Sequence, residues 1–208
     1  MKQTNGKIKG HGMPCPYDFY ERTTCKKNDK SKKLDYNELV LIFQIRRKVE
    51  MKKLAIVYYS RTGNTAAMAE AIAEGAAQES GITVDVEKVE NFSAEKMLEY
   101  DGLIVGSPTY YGSMAYQVKK LFDDSVVFHG KMAGKIGGAF SSAANIGGGN
   151  ETTITGILNA MLIHGMIVEG TSNGDHFGPV AISSPDARAE SGCKALGKRV
   201  AALVKKLT

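Results

Sequence analysis

The sequence predicts a doubly wound α/β domain: five parallel strands alternating with helices, in three α/β/α layers with right-handed crossovers. Three observations carry this expectation. Short, unbroken runs rich in β-branched and aromatic residues at 54–59 and 103–106 have the make-up of strands buried on both faces. Stretches with helical spacing separate the strand-like runs. The runs at 54–59, 103–106 and 135–142 each end in a loop rich in Ser, Thr or Gly.

The 208 residues suffice for one domain with a full core, and 43% of them are hydrophobic. No apolar run approaches the ~20 residues that span a bilayer, so a soluble, cytoplasmic protein is expected. Cys15, Cys25 and Cys193 form no CxxC and have no metal spacing, which argues against a disulfide framework or a metal site. The charge is uneven. Residues 1–50 hold 12 Lys and Arg against 6 Asp and Glu, leaving 15 against 16 in residues 51–208. The net +5 thus comes from the N-terminal stretch, and the body gives no reason to expect a nucleic-acid partner. Residues 1–50 read as a basic, disordered extension, or as sequence ahead of a natural start at Met51. Residues 51–208 are the expected domain.

Taken in order, strand 54–59 is followed by helix 65–79, in which Met68, Ile72 and Ala76 fall near one face. Residues 82–86 alternate and predict an edge strand, and 93–100 a short helix. Strand 103–106 precedes helix 113–124, and strand 135–142 precedes helix 151–164, which Gly165 stops. Residues 166–168 form the fifth strand. A last helix covers about 186–206, capped by Ser184 or Asp186.

Between the first strand and its helix lies Ser60-Arg61-Thr62-Gly63-Asn64-Thr65. A helix start leaves N–H groups unpaired and carries a partial positive charge. The hydroxyls of Ser60, Thr62 and Thr65 add donors, and Gly63 lets the backbone approach closely. The stretch is a phosphate cradle or, more plainly, an ordinary N-cap. It contains neither Gly-x-x-x-x-Gly-Lys-Ser/Thr nor Gly-x-Gly-x-x-Gly, so a terminal monoester phosphate suits it better than a γ-phosphate or a dinucleotide pyrophosphate. Here the sequence resembles the flavodoxin family, whose FMN phosphate loop reads Ser/Thr-x-Thr-Gly-Asn-Thr. The resemblance implies a flavodoxin-like sheet of order 2-1-3-4-5, with FMN at the switch point between strands 1 and 3.

Two more loops fall on the same sheet edge. Strand 3 runs into Ser107-Pro108-Thr109-Tyr110-Tyr111-Gly112-Ser113-Met114. There Pro108 stiffens the turn, Tyr110 and Tyr111 offer flat faces to an aromatic ring, and Gly112 tolerates positive φ. Strand 4 runs into Ser141-Ser142-Ala143-Ala144-Asn145-Ile146-Gly147-Gly148-Gly149-Asn150, which exposes backbone donors to the polar edge of a flavin. Each loop alone also reads as plain surface; three on one edge point to FMN. Pro-Thr-x-x-Gly-x-Met, Phe-Ser-Ser ahead of three glycines, and Thr-Ile-Thr ahead of His164-Gly165-Met166 further resemble the WrbA-type NAD(P)H:quinone oxidoreductases. That resemblance covers most of 51–208 and none of 1–50. The connection at about 87–101 lacks the family's long insert, which marks a compact relative. Candidate cofactor contacts are therefore Ser60 to Thr65, Pro108 to Gly112, Ser141 to Asn145, Gly147 and Gly148. Tyr111 and His164 are candidate substrate contacts, His164 from its matching position in the WrbA-type proteins.

A phospho-receiver of this architecture would need acids at the end of strand 1, where Tyr58, Tyr59 and Ser60 stand instead. An electron-carrier flavodoxin would sandwich the ring between aromatics from two loops and present an acidic face. The strand-4 loop has no aromatic and the body is close to neutral. The expectation is an FMN-dependent NAD(P)H:quinone reductase, with electron carrier as the alternative. NAD(P)H is the expected donor, and a quinone or similar small molecule the acceptor. No catalytic side chain is expected, and a homo-oligomer is left open.

Overall fold

The structure, a computed structural model, describes Asp35 and residues 51–208. The expectations for the extension fall on residues 1–50, which apart from Asp35 lie outside the described residues. In chain order the elements are β1 (Lys52–Tyr58), α1 (Asn64–Ala76), β2 (Ile82–Lys88), β3 (Gly102–Tyr110), β4 (Ser113–Met114) and α2 (Tyr116–Asp124). They continue with β5 (Ile136–Ala143), α3 (Asn150–Ile163), β6 (Ile167–Val168), β7 (Val180–Ile182) and α4 (Ala187–Leu207).

Alternation of side chains along each strand sorts the core into two layers. From β1, Leu54, Ile56 and Tyr58 face α1 and α4, while Ala55 and Val57 face the other side. From β3, Ile104 joins the first layer and Leu103 and Val105 the second. Burial on both faces is why these strands read as unbroken apolar runs. The sheet order is β2-β1-β3-β5-β6, with all of these pairs parallel. The doubly wound class is therefore the one observed, and the strand at 82–86 is an edge strand as expected.

The fifth position differs from the expectation. β6 pairs only with Ile136 and Gly137 at the start of β5, and β7 pairs with Ser141, Ser142 and Ala143 at its end. Residues 169–179 interrupt the strand between these two pieces. A three-residue strand has too little sequence to show a period.

Two more boundaries move. Residues expected as a helix at 93–100 form 3-10 turns at Val89–Asn91 and Glu95–Glu99, short pieces held by buried Phe92, Met97 and Tyr100. The helix expected from 113 starts at Tyr116, because Ser113 and Met114 fold back as β4 against Tyr110 and Thr109. Tyr111 and Gly112 turn this hairpin with φ of 50° and 76°, the positive values that a two-residue hairpin turn needs.

The helix ends follow local rules. Asp186 Oδ1 accepts from Ala189 N at 2.8 Å, so Asp186 rather than Ser184 caps α4. α3 closes as a Schellman motif: Gly165 N donates to Leu162 O and Met166 N to Met161 O. Among the described residues, no helix is long and apolar enough to cross a membrane.

Candidate cofactor site

Gly63 is the N-cap of α1, and its φ of 94° is strained for any residue with a Cβ. An added Cβ there would meet nothing within 4 Å, so the space in front of the helix start is open. Gly63 N donates to Ser60 Oγ at 3.1 Å, and the first intrahelical bond is Ala67 N to Gly63 O. That leaves the N–H groups of Asn64, Thr65 and Ala66 at the helix start without an intrahelical acceptor. No acidic residue stands in the first turn, and no side chain caps it. A phosphate monoester fits this cradle in charge and in donor count.

The cradle forms one end of a cavity of about 420 Å³. Arg61, Thr62, Asn64 and Thr65 line that end, Pro108, Thr109 and Tyr110 the β3 side, and Ser142, Ala143 and Ala144 the β5 side. Hydroxyls tie the floor together. Thr65 Oγ1 and Ser142 Oγ share a buried hydrogen bond of 2.9 Å, and Thr109 Oγ1 lies 3.0 Å from Ser141 Oγ and accepts from Thr153 Oγ1 at 2.9 Å. The two ring-side loops are also pinned at their bases. Thr152 Oγ1 donates to Gly112 O at 2.7 Å, and a Cβ on Gly149 (φ 103°) would come within 2.8 Å of Gly112 Cα. Only glycine allows that approach.

Known proteins share this fold. Residues 56–153 match the model of the family described as Flavodoxin. The chain is 39% identical over 159 residues to a flavodoxin of Aquifex aeolicus, covering 73% of this chain and 86% of the relative. The chain belongs to the flavodoxin family. It is also 31% identical over 198 residues to an NAD(P)H dehydrogenase (quinone) of Bradyrhizobium diazoefficiens, covering 76% of this chain and 99% of the relative. A flavodoxin described as WrbA-like from Agrobacterium tumefaciens superposes with a TM-score of 0.65 at 28% identity, over 76% of this chain and 99% of the other. The Bradyrhizobium alignment uses a similar share of this chain over more positions, so that relative carries segments absent from this flavodoxin-family chain.

Measured against the sequence expectations, ten candidate residues meet in the one cavity: Arg61, Thr62, Asn64, Thr65, Pro108, Thr109, Tyr110, Ser142, Ala143 and Ala144. Ser60 and Gly63 build the turn beneath it, and Ser141 is buried behind it. Gly148 N closes the strand-4 loop on Asn145 O, while Gly147 lines a neighbouring cavity of about 460 Å³ beside exposed Ile146.

The two tyrosines part company. The Tyr110 ring packs edge-on to Tyr59 at 6.4 Å and lies under the Arg61 guanidinium at 5.7 Å, whereas Tyr111 stands fully exposed at the hairpin tip. Of the two, Tyr110 lines the cavity and Tyr111 does not.

His164 is not beside this cavity. α3 starts at the ligand edge and runs back for 14 residues, about 20 Å, so His164 sits at the amino edge of the sheet. It is buried there, with Nε2 2.8 Å from Ser125 Oγ. Burial, and then the neighbouring His129, hold its pKa below the ordinary value. The polarity of a crossover helix already implied this placement.

Ser183 lines the cavity and was not foreseen. Its φ is 59°, and its N–H donates to Ala143 O at 2.8 Å. It arrives through β7, which the sequence did not reveal.

Proposed function

We propose that the chain binds FMN and works as an NAD(P)H-dependent reductase of a quinone or similar small acceptor. Bound FMN would supply a ring able to take up a hydride and pass electrons on. Asn64, Thr65 and Ala66 would hold its phosphate through their N–H groups, with the Thr62 hydroxyl beside them. Among the described residues, Arg61 is the one charged side chain lining the cavity, and its position over Tyr110 adds positive charge at the same end.

The observation that carries the reductase reading is the asymmetry of the ring-side walls. The β3–β4 hairpin offers the exposed ring of Tyr111, while the loop after β5 offers no ring, and its bulkiest side chain, Ile146, is 90% exposed. A nicotinamide has room to stack on the side that lacks an aromatic cover, within the ~3–3.5 Å that transfer requires. The NAD(P)H dehydrogenase (quinone) relatives support this reading. An electron-carrier role is the second reading, favoured by the Aquifex flavodoxin alignment, in which 159 positions cover 73% of this chain with little room for gaps.

Anaerobic absorbance spectroscopy separates the two. A reductase is bleached by NADH or NADPH alone and recovers its colour over many turnovers when benzoquinone is added. A flavin that stays oxidised in excess NADH and NADPH, yet takes electrons from a separate reductase, makes the protein a carrier.

A further inference from the structure

Three exposed apolar side chains, Ile146, Phe177 and Ile182, gather in adjoining cavities beside the cofactor site. Ile146 and Ile182, with Val180 and the glycine turn ahead of α3, line a cleft of about 460 Å³. A smaller cavity of about 110 Å³, lined by Ile154 and Phe177, continues it. Val180 and Glu151 line both, so the two form one groove. Side chains alternate along a strand, so Ile182 shares the face of β7 on which Val180 packs against the α3-side core.

The groove adjoins the cofactor cavity at two points. Ile182 lines the groove, and the next residue, Ser183, lines the cavity. Gly149 also lines the groove, and its carbonyl lies 3.4 Å from the hydroxyl of Thr109, which lines the cavity. From Ile182 the apolar surface leads away from the cavity, past Val180 to Phe177. Charge narrows the occupant. Among the described residues, Glu151 and Asp175 line the groove and no lysine or arginine does. An anion there, the pyrophosphate of a dinucleotide included, would face like charge without a lysine or arginine to offset it. A neutral apolar chain would instead cover the exposed isoleucines and Phe177.

We propose that this groove takes the tail of the electron acceptor, so that the substrate is a neutral quinone carrying an isoprenoid or similar apolar side chain rather than a bare or anionic ring. The proposal rests on the reductase reading, since it names the class of acceptor that reading requires. The quinone ring lies at the rim where Ser183 and Thr109 meet the groove, and the tail follows Ile182, Val180 and Phe177 outward.

Calorimetric titration of the oxidised, FMN-loaded full chain with menadione and with its geranyl-substituted counterpart probes the groove without any electron transfer. The two share a ring and differ only in the tail. The geranyl compound is expected to bind roughly tenfold or more tighter, from the apolar carbons that the groove removes from water. Ile182→Thr and Ile146→Ser should each weaken the geranyl compound roughly threefold or more and menadione much less. Ile146 is exposed on a loop, so Ile146→Ser remains informative should Ile182→Thr fold poorly. Equal binding of the two quinones, absence of binding by both, or a tail preference that survives both substitutions overturns the proposal. Bleaching of the flavin by NADH or NADPH in the same preparation tests the underlying reading on its own. A protein that is bleached but ignores the tail keeps the reductase and loses the groove. One that binds the tail through Ile146 and Ile182 but is never bleached keeps the groove and loses the reductase.

Discussion

Thr62 stands exposed at the mouth of the cradle and makes no hydrogen bond within the described residues. Its replacement therefore tests ligand binding with little structural cost. One hydroxyl bond to a dianion contributes roughly 1.5–3 kcal/mol, so Thr62→Ala should weaken FMN about ten- to a hundredfold. Riboflavin, which lacks the phosphate, should bind the variant as it binds the parent; equal losses in fluorescence titrations would mean the loop holds no phosphate. Thr65→Ala should behave differently, because Thr65 is buried and bonded to Ser142, and both ligands should weaken. His164 makes a separate residue-scale prediction. Ser125 Oγ donates its one proton to Phe122 O at 2.8 Å, so His164 Nε2 carries the proton toward Ser125, and Nδ1 is left buried without a partner. Protonating Nδ1 would bury an unpaired N–H, which agrees with the lowered pKa. The unfolded chain then binds the extra proton first. Stability should be level above the ordinary value of 6.5 and fall as pH drops below it toward the folded value. Thermal melts at pH 8 and pH 5 should show a smaller loss for His164→Gln, whose amide can still donate to Ser125; an equal loss would assign the acid sensitivity elsewhere.

Among the helices, the contact between α1 and α4 is set by two glycines. A Cβ on Gly197 would lie 1.9 Å from Ile72 O, and one on Gly75 2.0 Å from Lys194 O. Alanine is the better helix former by about 1 kcal/mol, which alone would stabilise either helix. Backbone atoms cannot give way as a flexible side chain can, however, and overpacking costs about 1–3 kcal/mol or more. The clash should win. Gly197→Ala is expected to lower stability in urea by about 1–3 kcal/mol; a more stable variant would show that the helices can slide apart freely. The β3–β4 hairpin offers the contrast. Its close approach to α3 depends on Gly149, while Tyr111 at its tip is free of packing and has only its own positive φ to satisfy.

Among the described residues, both core layers and the lining of the candidate cavity are built from residues 51–208. A chain starting at Met51 should therefore fold and hold FMN as the full chain does, read by melting temperature and by flavin absorbance. A colourless or insoluble product would make residues 1–50 part of the domain. The sequence by itself determined the strand–helix alternation, the two-faced burial of 54–59 and 103–106, and the open turn at Gly63 ahead of α1. Each of these rests on a signal confined to a few neighbouring residues: side-chain period, apolar run, or an N-terminal turn with a glycine. Only the tertiary structure decided the divided fifth strand, the arrival of Ser183 and the packing of Tyr110 under Arg61. These depend on which distant segments meet. Val180–Ile182 is a strand because β5 has an unpaired carboxyl half for it to join, and three residues carry no period of their own that could announce it.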